Sequence, residues 1–185
     1  MSLMPDIHTY RLPAPFGSIV FAGLGSLGDE LFSVRPSLEV VHEPDSAPEN
    51  ICRWINLVDK MISEFAEPTD EDYADLFALP VMTERMSEFG ISVLKHVSQI
   101  GRNRLITYTE LAESVGHPTA ARAVARILAD NPFPILIPCH RVVSREQLAK
   151  IDITDVKTLA GPAYLGESRL AEIAAWLRLH DQTFV

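Results

Sequence analysis

A thiol, an imidazole and a guanidinium follow one another at Cys139-His140-Arg141. Thiolate is the reactive form of cysteine, and an adjacent imidazole or cation raises its population at neutral pH. The trio ends a short apolar run, Ile135-Leu136-Ile137, that reads as a buried strand. Pro138 marks the exit, because proline donates no ladder hydrogen bond. A cysteine held at the end of such an element is a candidate nucleophile. The competing reading is a buried structural cysteine, since free Cys is among the most buried residue types. Cysteine hydrolysis is disfavoured, because neighbouring side chains on an extended segment point to opposite sides and Cys139 and His140 would not form a direct dyad.

The elements before the thiol carry a second set of polar groups. Thr107-Tyr108-Thr109-Glu110 is a capping box that predicts a short helix to about Val115. Gly116-His117-Pro118 stops it and restarts the chain, and Thr119 to Ala129 is the next helix. Two short helices across a tight, glycine-containing turn make a helix-turn-helix candidate. The second helix alternates small residues, Ala120, Ala121, Ala123 and Ala125, with Arg122 and Arg126. Small residues permit close approach to a backbone, and the arginines suit phosphate; the plain alternative is an alanine-packed helix with solvated arginines.

Pro138-Cys139-His140-Arg141-Val142, preceded by Asn131-Pro132-Phe133-Pro134-Ile135-Leu136-Ile137 and Ala120-Ala121-Arg122-Ala123-Val124, closely resembles the O6-alkylguanine-DNA alkyltransferases. These are the methylated-DNA–protein-cysteine methyltransferases. Tyr108-Thr109-Glu110-Leu111-Ala112 matches their pattern as well, and the resemblance is specific from about residue 85 to 145. It implies direct-reversal DNA repair in which Cys139 takes the alkyl group from O6 of guanine and keeps it as a thioether, one protein molecule per lesion. It implies that Tyr108 serves ring N3 of the leaving guanine, that His140 acts on Cys139 through a water, and that a carboxylate near the C-terminus, nearest Asp181, orients His140. Asn131 matches the turn residue before the Cys segment, Pro134 lines the base pocket, and the Val142 carbonyl accepts from the extruded base. By the same resemblance the second helix enters the minor groove, Arg122 fills the gap left by the base, and Thr119, Ala121, Ala123, Arg126 and Arg141 accompany it on DNA.

The resemblance breaks after Ser144. The family's Gly-Tyr-x-Gly-Gly lid has its nearest equivalent in Ala163-Tyr164-Leu165-Gly166-Glu167, with Tyr164 as the pocket residue and Glu167 in place of the second glycine. A lesion-binding protein without transfer is the alternative that this departure raises, and retention of Cys139 speaks against it. No cofactor or metal is expected. The expected partner is double-stranded DNA containing O6-alkylguanine, bound by a monomer.

Composition bounds the rest. The 185 residues are 47% hydrophobic and 22% charged, ordinary for a globular chain with a real core. Two cysteines, Cys52 and Cys139, give neither a disulfide framework nor enough ligands for a zinc cluster. With no membrane span and no signal peptide in the sequence, a cytoplasmic protein is expected (nuclear in a eukaryote). Met1-Ser2-Leu3 before Met4 reads as an expression scar. The formal charge of -9 argues against a generic nucleic-acid binder. Between residues 101 and 145, however, six arginines face three carboxylates, a local surplus of three positive charges. Such a face on an acidic body contacts phosphates with strong salt sensitivity.

The fold class predicted is α+β. Residues 7 to 41 read as strands around Ser18–Ala22, Leu31–Val34 and Leu38–Val41, with turns at Gly23, Gly25, Gly28 and Pro36. A capping box at Ser46 precedes a helix whose apolar face runs from Ile51 to Phe65. The acidic stretch Glu67 to Asp75 reads as a linker. It closes a small sheet-plus-helix domain (4–75) before a mainly helical domain (76–185) that holds the helix-turn-helix. A helix with Met86, Phe89, Val93, Leu94 and Val97 on one face, opened by Thr83, begins the second domain. A terminal helix from Leu170 to Leu179 ends it at His180-Asp181.

Overall fold

The computed structural model describes residues 7–15, 17–24, 28, 30–37, 39, 46–102, 104–151, 177, 178, 180 and 181. The chain divides into two compact units, one ending at Glu84 and the other beginning at Arg85.

The first unit is a three-stranded antiparallel sheet with helices. The strands are β1 (Ile7–Ala14), β2 (Gly17–Leu24) and β3 (Glu30–Ser37), in the order β1-β2-β3. Pro13 and Pro36 lie on the two outer strands, where a missing N–H breaks no ladder on the open side. Ile19 and Phe21 of the central strand are fully buried with Leu12 and Val34 beside them. Helix α1 (Glu49–Ser63) contributes Ile51, Trp54, Ile55, Val58 and Met61 at the expected helical spacing. Each such side chain is worth about 1.5–3 kcal/mol when fully buried. The capping box expected at Ser46 does not form; Pro48 is the N-cap, without a side-chain hydrogen bond.

The acidic stretch read as a linker is instead largely helix, α2 (Asp70–Ala78). Thr69 and Asp72 close a reciprocal capping box, and Asp70, Glu71 and Asp72 favour the positive end of the helix dipole. Arg53 of α1 ties the helix down through Asp72 at 2.9 Å and through Asp75. The charge run is a helix start with a partner, and the chain divides further on, after the short α3 (Pro80–Thr83).

In the second unit α4 (Glu88–Ser98) opens at Ser87, whose hydroxyl accepts from Gly90 N–H at 3.1 Å. Thr83, the expected opener, ends α3 instead. Strand β4 (Ile106–Thr107) leads directly into α5 (Tyr108–Ser114), capped as expected by Thr107 and Glu110. Gly116, at φ +80, turns the chain out of α5, and an extended turn reaches α6 (Ala121–Ala129). Thr119 lies in that turn and not in the helix.

The apolar run before the thiol is not a strand. Ile135, Leu136 and Ile137 are buried, but they run through turns joined by a Pro134–Ile137 bridge. Pro132, Pro134 and Pro138 remove three ladder donors, and Ile135 takes the left-handed φ of +85. Cys139–Arg141 form one 3-10 turn, and the strand follows it as β5 (Val142–Val143). Its parallel pairing of Ile106 with Val142 and of Thr107 with Val143 sets the start of α5 beside the cysteine turn.

Candidate active site and DNA-facing surface

Cys139 is 1% exposed. Its backbone N–H is held by the Ile137 carbonyl at 2.7 Å, and Arg141 N–H bonds Pro138 O at 3.0 Å, which fixes the turn. The Asn131 amide donates to the sulfur at 3.2 Å and to the Ile137 carbonyl at 3.2 Å, while its oxygen accepts from Phe133 N–H at 3.0 Å. One buried side chain therefore replaces the missing sheet ladder and presents a donor to the thiol. Such a donor favours the anionic form of its acceptor.

Behind the cysteine lies a buried ionic cluster. His140 Nε2 is 2.9 Å from Asp181 Oδ2. A carboxylate accepts, so Nε2 carries the proton and Nδ1 is left as the basic nitrogen. That nitrogen is buried with no hydrogen-bond partner among the described residues. Burial, with the charges of Arg141 and Arg178, lowers the His140 pKa against the hydrogen bond and charge of Asp181, which raise it. The imidazole is neutral. For Asp181, burial alone would raise the pKa; the hydrogen bond from His140 and the hydrogen bonds and charge of Arg141 act against it, and the carboxyl lies well below its usual range. Burial pushes the Tyr108 phenol up to about 12, against the pull of the Arg178 charge and with a further push from Cys139.

Arg141, expected on DNA, is turned inward. It is 5% exposed, and its Nε and Nη2 donate to Asp181 at 2.7 and 3.2 Å while Nη1 reaches the Ile100 carbonyl. The reason is electrostatic: a carboxylate buried behind His140 needs a cation, and the adjacent residue supplies it. Arg178, which the sequence reading did not single out, is 2% exposed and donates to the His140 carbonyl at 2.6 Å. Its one signal was a lone charge within the apolar run from Ala174 to Leu179.

The other expected residues fall in two groups. Pro134 and Val142 are buried within the cysteine segment. Arg122, Ala123, Arg126 and Thr119 are exposed, and Ala121 is half-buried, while Val124 and Leu128 anchor the opposite face of α6. An open cleft of about 500 Å³ runs between Tyr108, Ala121, Arg122 and Ala125 on one side and Arg145 and Glu146 of α7 (Arg145–Leu148) on the other. Tyr108 thus links the arginine-bearing helix to the neighbourhood of the thiol. Tyr164 lies outside the described residues, as does most of the expected terminal helix, of which Leu177, Arg178, His180 and Asp181 are helical.

Residues 88–154 match the family described as 6-O-methylguanine DNA methyltransferase, DNA binding domain. Over 139 residues, 74% of this chain and 78% of the relative, the sequence is 31% identical to a methylated-DNA–protein-cysteine methyltransferase of Mycobacterium bovis. The chain belongs to the methylated-DNA–protein-cysteine methyltransferase family. The corresponding protein of Cricetulus griseus is 33% identical over 108 residues, and there the chain spans about half the length of the relative, 50%. In fold the chain is similar to the O6-methylguanine methyltransferase of Mycobacterium tuberculosis, with a TM-score of 0.59 at 22% identity over 94% of this chain and 94% of that one. It is similar too to the same organism's OGT in complex with DNA, with a TM-score of 0.57 at 23% identity, covering 94% and 97% of the two chains. The family match runs past the cysteine turn and Ser144 to residue 154. Ser144 and Gln147 close a capping box that starts α7, so the segment after the motif begins as a helix.

Proposed function

We propose that this protein repairs DNA by direct reversal, moving an alkyl group from O6 of guanine in double-stranded DNA to Cys139. The observation that carries the reading is Cys139 seated under the Asn131 amide, with His140 and Asp181 hydrogen-bonded behind it and Tyr108 opening onto the cleft beside Arg122. The exposed residues of α6 meet the minor groove, and Arg122 holds the place of the extruded base. Pro134 and the Val142 carbonyl receive that base. Neutral His140 takes the thiol proton at Nδ1 through a water, oriented by Asp181 as in a triad. The sulfur attacks the alkyl carbon, the C–O6 bond breaks, and its electron pair passes to the guanine. Tyr108 gives that guanine a proton at N3 and recovers one from His140, so protons balance. The thioether remains, and one molecule serves one lesion. No helix among the described residues is long and apolar enough to cross a membrane. The protein acts as a monomer on cytoplasmic DNA, or nuclear DNA in a eukaryote, and the second unit, from Arg85, is the part that binds DNA and accepts the alkyl group.

Incubation with a duplex carrying a single O6-methylguanine tests the reading. The peptide containing Cys139 gains one CH2 in mass, the duplex loses its methyl group, and Cys139→Ala abolishes both. Tight binding with an unmodified sulfur would replace repair with lesion sensing.

A further inference from the structure

Arg178 is the largest of the fully buried side chains among the described residues. Leucine fills such a position without desolvating an ion, and a buried guanidinium that only packs is often replaceable by an apolar side chain at no loss of stability. This one has a defined post: Nε donates to the carbonyl oxygen of His140 at 2.6 Å. Asp181 holds the ring of the same histidine and the guanidinium of its neighbour Arg141. The Arg178 charge bears on the His140 imidazole and on the Tyr108 phenol, and the charge of Cys139 bears on that phenol too. His140 directly follows Cys139, so the Arg178 hydrogen bond fixes the cation on the peptide unit beside the buried thiol.

We propose that Arg178 is a positioning residue of the alkyl transfer: a buried positive charge, fixed on the His140 carbonyl, against which the Cys139 thiolate and the Tyr108 phenolate form. The inference rests on the repair reading for the reaction it serves. Arg178 exchanges no atom in that reaction. The S–C bond forms as the C–O6 bond breaks, the thiol proton goes to His140, and Tyr108 supplies the proton that guanine takes. The guanidinium holds the backbone of the base and favours each anion as it appears.

The test compares the wild-type chain with Arg178→Leu, which removes the charge, and Arg178→Lys, which keeps it. Thermal melting confirms that each is folded, and Arg178→Met replaces the leucine variant if that one is not. Two quantities are followed against pH. One is the rate of methyl transfer from an O6-methylguanine duplex. The other is the rate of Cys139 alkylation by iodoacetamide, read on the Cys139 peptide so that Cys52 does not contribute. With the charge gone, the alkylation midpoint rises by about one pH unit and transfer at neutral pH falls about tenfold. Lysine restores most of both. A merely structural arginine would leave the midpoint in place, and an unchanged midpoint in the leucine or methionine variant overturns the proposal. A wild-type chain that moves no methyl group sinks the repair reading, and the alkylation midpoints still decide for or against Arg178.

Discussion

At the scale of the residue, Asp181 does the most with one side chain. Two of its oxygens serve His140 and Arg141, and removing the charge strands a buried arginine. Breaking a buried pair in this way costs about 3–5 kcal/mol, so Asp181→Ala lowers the unfolding free energy of the second unit by that order in urea titrations. The pH dependence has a definite sign. Asp181 has a folded pKa below its unfolded value of about 3.9, so its contribution is present above that pH and is lost as the pH falls beneath it. His140 also has a lowered folded pKa, and it favours the fold above its unfolded value of about 6.5 and ceases to as the pH drops through that region. Acidification therefore weakens the wild type in two steps. Urea midpoints of Asp181→Asn measured between about pH 3 and pH 8 lose the lower step. Retention of both steps would mean that Asp181 is not the group that titrates.

At the scale of the element, α5 and α6 do separate work. The Thr107–Glu110 box fixes where α5 begins, and with it the place of Tyr108. Its hydrogen bonds hold the Glu110 carboxyl below its ordinary pKa. Thr107→Ala removes a cap worth about 1 kcal/mol and loosens Tyr108, so denaturation midpoints fall and transfer slows. The exposed face of α6, which the proposal sets on DNA, is separable from the fold. Arg122→Ala leaves the thermal melt unchanged and slows transfer from duplex DNA by about tenfold or more, since unstacking a base costs a few kcal/mol that the arginine offsets. Transfer from a free O6-alkylated guanine, which needs no extrusion, is unaffected. Equal loss on both substrates would place Arg122 in the chemistry and not in the duplex. The box and the α6 face were legible in the sequence because capping and periodicity are local. The expected strand at Ile135–Ile137 failed because three prolines and the Asn131 side chain take over the backbone bonding that a strand would need.

At the scale of the molecule, the proposed repair asks an acidic protein to hold an anionic polymer. The formal charge is -9, yet Arg104, Arg122, Arg126 and Arg145 are exposed. If these four meet phosphates, the logarithm of the binding constant falls with the logarithm of salt concentration at a slope near -3.6, from about -0.9 per contact. Duplex binding at several salt concentrations measures it, and a slope near zero removes the electrostatic account. The division after Glu84 assigns the acidic α2 to the first unit and these four arginines to the second.

By itself the sequence picked out the groups that the proposed chemistry uses: the thiol, the imidazole beside it, the capped Tyr108 and the arginines on an alanine-rich helix. It determined the α+β order too, because hydrophobic period, prolines and caps are written within a few residues of each element. The tertiary structure alone decided the partners. Arg141 turned inward because a carboxylate forty residues away needed its charge, and Arg178 became part of the site because its helix carries it to the His140 carbonyl. Ion pairing across such distances has no local signature, since burial, which makes the pairing compulsory, is a property of the assembled chain.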